Sequence, residues 1–505
     1  MRSMPDTIAR LIDDTRFGRA HRRVWLLSSL GIMLDGFDFF IMGVAIPLIA
    51  AEWSTTPLET GLISSAAIVG AIVGAAVMGP LSDRIGRKLA FRIDLGLFVV
   101  FALASALAPD VWWLIVFRFL LGIGIGADYP ISASYVSEIS PSRLRSRLLI
   151  GAFSFQAVGQ LLGALVGLLV LSLDPVPDAW RWMLAVGVVP AIVIVILRRG
   201  VPESPLWLAS TRRYEEAALS LQTFTGHPVE VAELISRGEV VAVPMPAPVV
   251  TGVVRPADAH PAIPRLSLFS RRLRGATVLT SVPWFFMDIA TYGVGVFTPT
   301  IIAAIALTPA TGAGSNPLFI ADDITSTEGA AVLDLFLVAG FLLALVLVRR
   351  LGLIRLQTIG FVVMAAGLLV LAASGALSEG SPWQFALVFA GFAAFNLFMN
   401  LGPNATTFAL PTVAFDTLSR GAGAGFAAAS GKAGAALGTF LFPLLQAGLG
   451  LGATLTIIAG GCLVAATVTV VLRGRLRSSA VHPMVSVPGE TAREPRGTAL
   501  EKEER

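Results

Sequence analysis

Cysteine is all but missing from this sequence. Cys462 stands alone in the last apolar run, which excludes a disulfide framework within one chain and any cysteine-based metal site. Histidine is nearly as scarce: His21, His227, His260 and His482 all lie outside the apolar runs, so any protons moved through a bilayer must use carboxylates. Charge is thin as well. Only 14% of residues are charged, against about a quarter in soluble proteins, while 55% are hydrophobic and the mean hydropathy is +0.78. The composition points to a multi-pass membrane protein. Lysine is the last rarity: Lys88, Lys432 and Lys502 are the whole supply, and Lys432 sits inside the Ala/Gly stretch "AAASGKAGAALG".

Apolar runs of about 20 residues, the length that spans a roughly 30 Å hydrocarbon core, recur along the chain. Twelve spans are expected, at about 24–50, 58–80, 89–108, 111–137, 148–172, 179–198, 275–306, 327–348, 355–377, 383–411, 420–447 and 450–472. The opening "MRSMPDTIARLIDDTRFGRAHRR" has neither a signal-peptide core nor a small-residue cleavage site, so the first span is expected to act as the insertion signal. Arg84, Arg87, Lys88 and Arg92 follow the second span, Arg143, Arg145 and Arg147 the fourth, Arg349, Arg350 and Arg355 the eighth, and Arg420 the tenth. The alternate loops hold Glu52, Asp110, Asp174 with Asp178, Asp322 with Asp323, and Glu379. Because arginine and lysine concentrate on the cytoplasmic side, both termini are expected to be cytoplasmic, in a plasma or inner membrane. The pI near 9.6 reports that bias; no solvated polybasic patch for nucleic acid is present.

The runs divide the chain into an N-terminal six-helix half (1–198), a cytoplasmic linker (199–273), a C-terminal six-helix half (274–473) and a disordered tail (474–505). The linker opens with the short amphipathic segment "RRYEEAALSLQTF" and then becomes Pro-rich, reading as disordered. A faint internal repeat relates the halves. A shift of about 275 residues lays "RSRLLIGAFSFQAVGQLLG" over "RGAGAGFAAASGKAGAALG", superposing Arg145 on Arg420, Gly159 on Gly434 and Gly163 on Gly438. Symmetric halves of this kind hold their substrate at the shared interface near the bilayer midplane.

Charges inside the spans cost roughly 2.5–3.5 kcal/mol each on insertion scales, so each is a functional candidate. Asp35 and Asp38 lie in "MLDGFDFF", Arg118 and Asp128 in "VFRFLLGIGIGADYPIS", Asp288 in "VPWFFMDIATYGVG", and Lys432 about twelve residues into its run; Asp94 and Asp334 lie nearer span ends. Trp284, Asp288 and Tyr292 recur every fourth residue and share one helix face within about 12 Å. An aromatic belt at the membrane interface would also supply the two rings, but it would leave Asp288 unpaired in lipid. Arg118 and Asp128 lie about 15 Å apart along one helix and cannot pair with each other.

Soluble-protein motifs fail on context. "GIGIGA" has no strand before it, "SGKAG" lacks the first glycine and the Ser/Thr of a phosphate loop, and "NAT" at 404–406 is buried in a span. Gly70/Gly74 and Gly434/Gly438 are small-residue pairs suited to close helix packing. No nucleophile–base pair and no metal cluster stand out, so the reading includes no enzyme and no cofactor.

With these residues laid out, the chain resembles the major facilitator superfamily over nearly its whole length. "GPLSDRIGRK" is similar to the family's cytoplasmic loop, in which Asp83, Arg84 and Arg87 would form a charge latch between helices. "SEISPSRLRSR", with Glu138 and Arg145, and "VPESPLW" resemble elements of the sugar-porter-like branch, whereas "VRRLGLIRLQ" lacks the acidic residue expected in the second half. The resemblance is most specific to proton-coupled phosphate symporters. "RFLLGIGIGADYPISA", "FSFQAVGQ", "WFFMDIATYG", "GPNATTF" and "ASGKAGA" are similar to their span signatures, which would put Tyr129, Gln156, Trp284, Asp288, Tyr292, Asn404 and Lys432 around the substrate. Asp35, Asp38, Arg118 and Asp128 would belong to the proton route.

The resemblance implies an all-α membrane protein of twelve helices in two pseudo-symmetric halves, working as a monomer by alternating access. Its expected partners are a small anion, protons and the lipid bilayer. Inorganic phosphate is the first expectation. An aromatic or short carboxylic acid, a sugar, and a sensor that binds without transporting stay open as alternatives.

Overall fold

The computed structural model describes residues 4–226, 268–306, 316–378, 381–415 and 420–474, and among these residues it is helical without a strand. The Pro-rich part of the expected linker and the expected tail beyond residue 474 lie outside the described residues. Eleven helices are long and apolar enough to cross a bilayer, and a bent pair counted as one brings the number to twelve. Spans one to six are Arg19–Trp53, Pro57–Ile85, Arg87–Ala106, Val111–Ile139, Ser142–Leu173 and Pro177–Arg198. Span seven is the bent pair Arg274–Gly295 and Thr298–Ile305, and spans eight to twelve are Ala321–Val348, Leu353–Ser374, Pro382–Thr407, Ala422–Leu449 and Leu451–Leu472. Large apolar side chains such as Val100, Leu169, Leu342 and Val471 face outward along them, as a lipid-facing surface requires.

Local chemistry sets the helix ends. The Thr56 hydroxyl accepts from the Glu59 amide while the Glu59 carboxylate accepts from the Thr56 amide, with Pro57 in the first turn, and this capping box opens span two. Asp110 accepts from the amides of Trp112 and Trp113 at the start of span four. Gly86 and Gly352, at φ +92° and +76°, make the abrupt turns from span two to three and from eight to nine, a backbone region that side chains disfavour.

Three expected boundaries are corrected. Span seven is not one straight helix over 275–306: it bends by 58° between Gly295 and Thr298, because Pro299 has no N–H for the Gly295 carbonyl and its ring crowds that carbonyl. The helix of span eight begins at Asn316, so Asp322 and Asp323 belong to the helix and not to a loop, and Asp323 is buried. The run at 383–411 is a helix to Met399, π-type turns over Asn400–Asn404 around Pro403, and a separate short helix Leu410–Ala414.

The two halves repeat their packing. Spans one and five lie together as do seven and eleven, two and four as do eight and ten, and three and six as do nine and twelve. The glycines of the sequence repeat make the first correspondence close. A β-carbon on Gly159 would strike the Met33 carbonyl of span one, and one on Gly434 the Phe285 carbonyl of span seven; Gly163 and Gly438 repeat this against Phe37 and Ile289. Gly70 and Gly74 approach the backbone of span four at Phe119 and Ile123 in the same way. Between the halves, span two packs on eleven and span five on eight, again a symmetric pair.

Beside the bundle, Met4–Asp14, Pro205–Ser210 and Tyr214–Thr225 share a small core of Ile8, Ile12, Trp207, Leu208 and Leu221.

Candidate functional site

Between the halves lies a cavity of about 850 Å³, at the upper part of the range typical for small-molecule sites. The resemblance picked seven residues for this region, and all seven line it. Tyr129 comes from span four, Gln156 from five, Trp284, Asp288 and Tyr292 from seven, Asn404 from the π-type turns of ten, and Lys432 from eleven. The cavity continues past Ser137, Leu149 and Gly425, toward the end of the bundle that carries the arginine-rich loops. At the opposite end the halves are closed: a β-carbon on Gly43 would meet the Val296 carbonyl across the seam, and one on Gly61 the Phe440 carbonyl.

Lys432 is the electrostatic centre. Its Nζ donates to the Tyr292 hydroxyl at 3.2 Å, which also accepts from Gln156 Nε2 at 3.0 Å. The ammonium lies 4.6 Å from the centroid of the Tyr129 ring, 5.0 Å from that of Tyr292 and 5.6 Å from that of Phe39. Among the described residues no carboxylate comes within the 4.0 Å of an ion pair to it, Asp288 included. Each ring face contributes about 0.5–2 kcal/mol to holding a cation, which falls short of a counter-ion in a desolvated site. Asp288 is buried on the facing span, and the Tyr129 hydroxyl is buried without a hydrogen-bond partner. Gly431 leaves room for that packing, since a β-carbon there would strike the Trp284 indole. The arrangement offers an anion one cation and several unfilled or reorientable donors at the seam.

Sequence reasoning missed the aromatic wall. Tyr129 stacks on Phe153 at 5.8 Å, Phe153 on Phe408 at 4.6 Å, and Phe408 meets Trp284 edge-on at 4.7 Å. Phe153 and Phe408 carry no charge and stand among many other phenylalanines, so nothing in the sequence singled them out. Asn400, which accepts from Asn404 Nδ2 at 2.5 Å, was missed for a similar reason: it reads as the end of an apolar run.

The four residues of the expected proton route do not line the cavity; they lie in the N-terminal half, divided between two ion pairs and one unpaired carboxylate. Arg118 donates to both oxygens of Asp38, at 2.7 and 2.8 Å, in a fully buried fork. Asp128 accepts from Arg198 at 3.1 Å and from the Ser132 hydroxyl at 3.2 Å. Arg198 also donates to the Leu27 carbonyl, stands 4.0 Å from Asp94 and lies over the Phe91 ring. In the sequence Arg198 looks like a flanking charge at the end of a span. Gly31 lets this cluster close, because a β-carbon there would occupy the space of the Asp128 carboxylate and the Arg198 guanidinium. Asp35 is buried with one carboxylate oxygen unpartnered.

At the arginine-rich end Arg87 bridges Asp83 at 2.8 Å and Glu138 at 2.7 Å. Glu203 of "PESP" accepts from the amides of Arg87 and Lys88 at 2.9 and 3.0 Å, capping span three, and the Trp207 indole donates to the Asp83 carbonyl at 2.8 Å. Arg84 is exposed and forms none of the ion pairs of this cluster, and Arg145 reaches the Ser140 carbonyl, at 3.5 Å, with no ion pair among the described residues.

Comparison with known proteins agrees with this architecture. Inner membrane metabolite transport protein YgcS of Escherichia coli (strain K12) is 31% identical over 459 residues, 91% of this chain and 92% of its own. Inorganic phosphate transporter 1-1 of Oryza sativa subsp. japonica is 28% identical over 503 residues, 89% of this chain and 90% of its own. Among solved structures, the partially occluded inward open conformation of the xylose transporter XylE from E. coli superposes with a TM-score of 0.67 at 20% identity, covering 88% of this chain and 98% of that one, a likeness of fold. Residues 24–239 and 317–473 match the family described as sugar (and other) transporter, and the chain belongs to that family of the major facilitator superfamily, whose members are membrane transporters and not enzymes.

Proposed function

We propose that this transporter carries a small anion together with protons by alternating access, with inorganic phosphate as the first substrate. The observation that carries the reading is Lys432, a cation at the cavity wall with no carboxylate among the described residues in ion-pair range. Tyr129, Gln156, Tyr292, Asn404 and the Trp284 indole supply the donors that phosphate oxygens need. The phosphate transporters among the relatives support this choice of substrate.

Asp288 provides the coupling. An ionised carboxylate on the wall of the same cavity repels the anion, so the anion is held well only when Asp288 carries a proton, and the two move together. Asp38 is engaged by Arg118, which leaves Asp35, with its unpartnered oxygen, as the carboxylate where protons are taken up. With both termini cytoplasmic by the positive-inside rule, the cavity faces inward. The test is phosphate uptake into proteoliposomes with an imposed pH gradient, acidic on the side from which phosphate enters. Uptake should rise with the gradient and collapse when it is dissipated; uptake indifferent to it would overturn the symport.

A second reading, an organic acid with a planar apolar body, is favoured by the wall of Phe153, Phe408 and Trp284, on which such a body would stack. Labelled phosphate uptake that benzoate abolishes and unlabelled phosphate does not would replace the first reading with this one.

A further inference from the structure

Span eight carries a buried polar stripe that the reading above leaves without a task. Asp323, Thr327 and Asp334 are 4%, 0% and 3% exposed and lie at i, i+4 and i+11, one face of the helix, with Phe341 of the cavity wall two turns further along. Asp323 Oδ2, Thr327 Oγ1 and Asp334 Oδ2 each lack a hydrogen-bond partner. No basic side chain among the described residues comes within 4.0 Å of either carboxylate.

The surrounding elements supply no counter-charge. The second segment of span seven, Thr298–Ile305, has no ionisable residue, and span ten has none over Pro382–Thr407. Span five has none between Arg147 and Asp174. In span one, which touches span eight lightly, Arg19, His21, Arg22 and Arg23 stand at the arginine-rich end, Asp38 is taken by Arg118, Asp35 makes no ion pair among the described residues, and Glu52 is paired with Arg181. In span nine the one charge, Arg355, stands at the arginine-rich end. On span eight itself Glu328 is exposed and Asp322 half-buried.

Span ten offers instead a ladder of amides. Asn404 at the cavity donates to Asn400, Asn400 donates to the Leu337 carbonyl of span eight at 3.2 Å, and Asn396 donates to the Leu333 carbonyl, next to Asp334, at 3.2 Å. Amides therefore lead from the cavity along the seam of spans eight and ten to the level of Asp334, and Thr327 and Asp323 continue the same face of span eight about 10 Å and about 16 Å further on, near the end where the halves are closed. An ionised carboxylate buried without a counter-charge costs several kcal/mol, and a lone carboxyl beside amides lacks the six or so oxygens that a metal cation requires.

We propose that Asp334 is a second proton-carrying carboxylate of the transport cycle, loaded from the closed end by way of Asp323 and unloaded toward the cavity to water admitted along the polar seam of spans eight and ten, the asparagines orienting that water rather than carrying the proton themselves. The proposal rests on the symport reading and adds a proton to it: one with Asp288 in the cavity, one with Asp334 in the seam.

The test uses the full chain in lipid nanodiscs and begins with a readout that needs no substrate. Infrared difference spectra between acid and alkaline buffer should show, beside the bands of Asp288 and the other buried carboxyls, a protonated-carboxyl carbonyl band in the wild type that is missing from Asp334→Asn, a neutral isostere. Asp323→Asn should keep that band and slow its appearance after acidification. In proteoliposomes, with inorganic phosphate as probe, Asp334→Asn should halve the protons taken up per phosphate while phosphate binding persists. Superimposable infrared titrations of the wild type and Asp334→Asn would overturn the proposal. Wild-type liposomes that take up no phosphate would instead count against the symport reading, and the infrared comparison would still decide whether Asp334 exchanges a proton.

Discussion

Lys432 and Tyr292 meet across the seam of spans eleven and seven, Nζ to hydroxyl at 3.2 Å, and that neutral partner is what the ammonium has in place of a carboxylate. The cation is thereby oriented without being neutralised. Its charge remains available to whatever enters the cavity.

Removing that charge should cost binding directly. A charge-assisted hydrogen bond contributes about 1.5–3 kcal/mol, so Lys432→Gln is expected to weaken phosphate binding about 10- to 100-fold. Calorimetric titration of the purified protein checks it, and unchanged affinity would remove Lys432 from the site.

Arg118 and Asp38 make a prediction about stability. Taking one partner from a fully buried pair leaves an uncompensated charge at about 3–5 kcal/mol, so Arg118→Met alone should lower the melting temperature sharply. The double variant Arg118→Met with Asp38→Leu should recover most of the loss. Thermal unfolding in detergent measures both, and a double variant as unstable as the single one contradicts the account.

The packing glycines can be tested against an open one. Gly159→Val and Gly434→Val would push side chains into the backbone of spans one and seven, an overpacking cost of about 1–3 kcal/mol or more, while Gly96, with nothing near its missing β-carbon, should accept alanine. The yield of monodisperse protein on size exclusion reads the difference.

Glu203→Ala should loosen the start of span three, because two amides lose their acceptor. Loss of a cap costs about 0.5–2 kcal/mol, and hydrogen exchange should quicken at residues 86–88 and 203–208 before it quickens elsewhere. Uniform exchange across the chain would show that the contact holds nothing locally.

Most of the spans were legible because their signal is additive: about 20 apolar residues mark a span wherever it packs. The repeat was legible for the same reason, since Gly159 and Gly434 keep their size and spacing in both halves. Legibility failed where a few residues override the average. Pro299 bends span seven, Pro403 sits in the π-type turns of span ten, and neither changes the hydropathy of its run. Asp323 reads as a loop acid beside Asp322, and only the length of the helix around it puts it in the protein interior.

By itself, the sequence determined that this chain is a twelve-span membrane protein of two related halves and which few charges it commits to the bilayer. The tertiary structure decided which of those charges meet. Arg118 took Asp38, Arg198 took Asp128, and Lys432 kept no carboxylate partner among the described residues. The reason is geometric: insertion into a membrane depends on composition along the chain, whereas ion pairing depends on approaches of a few ångströms between residues as much as 129 positions apart, set by how the helices pack.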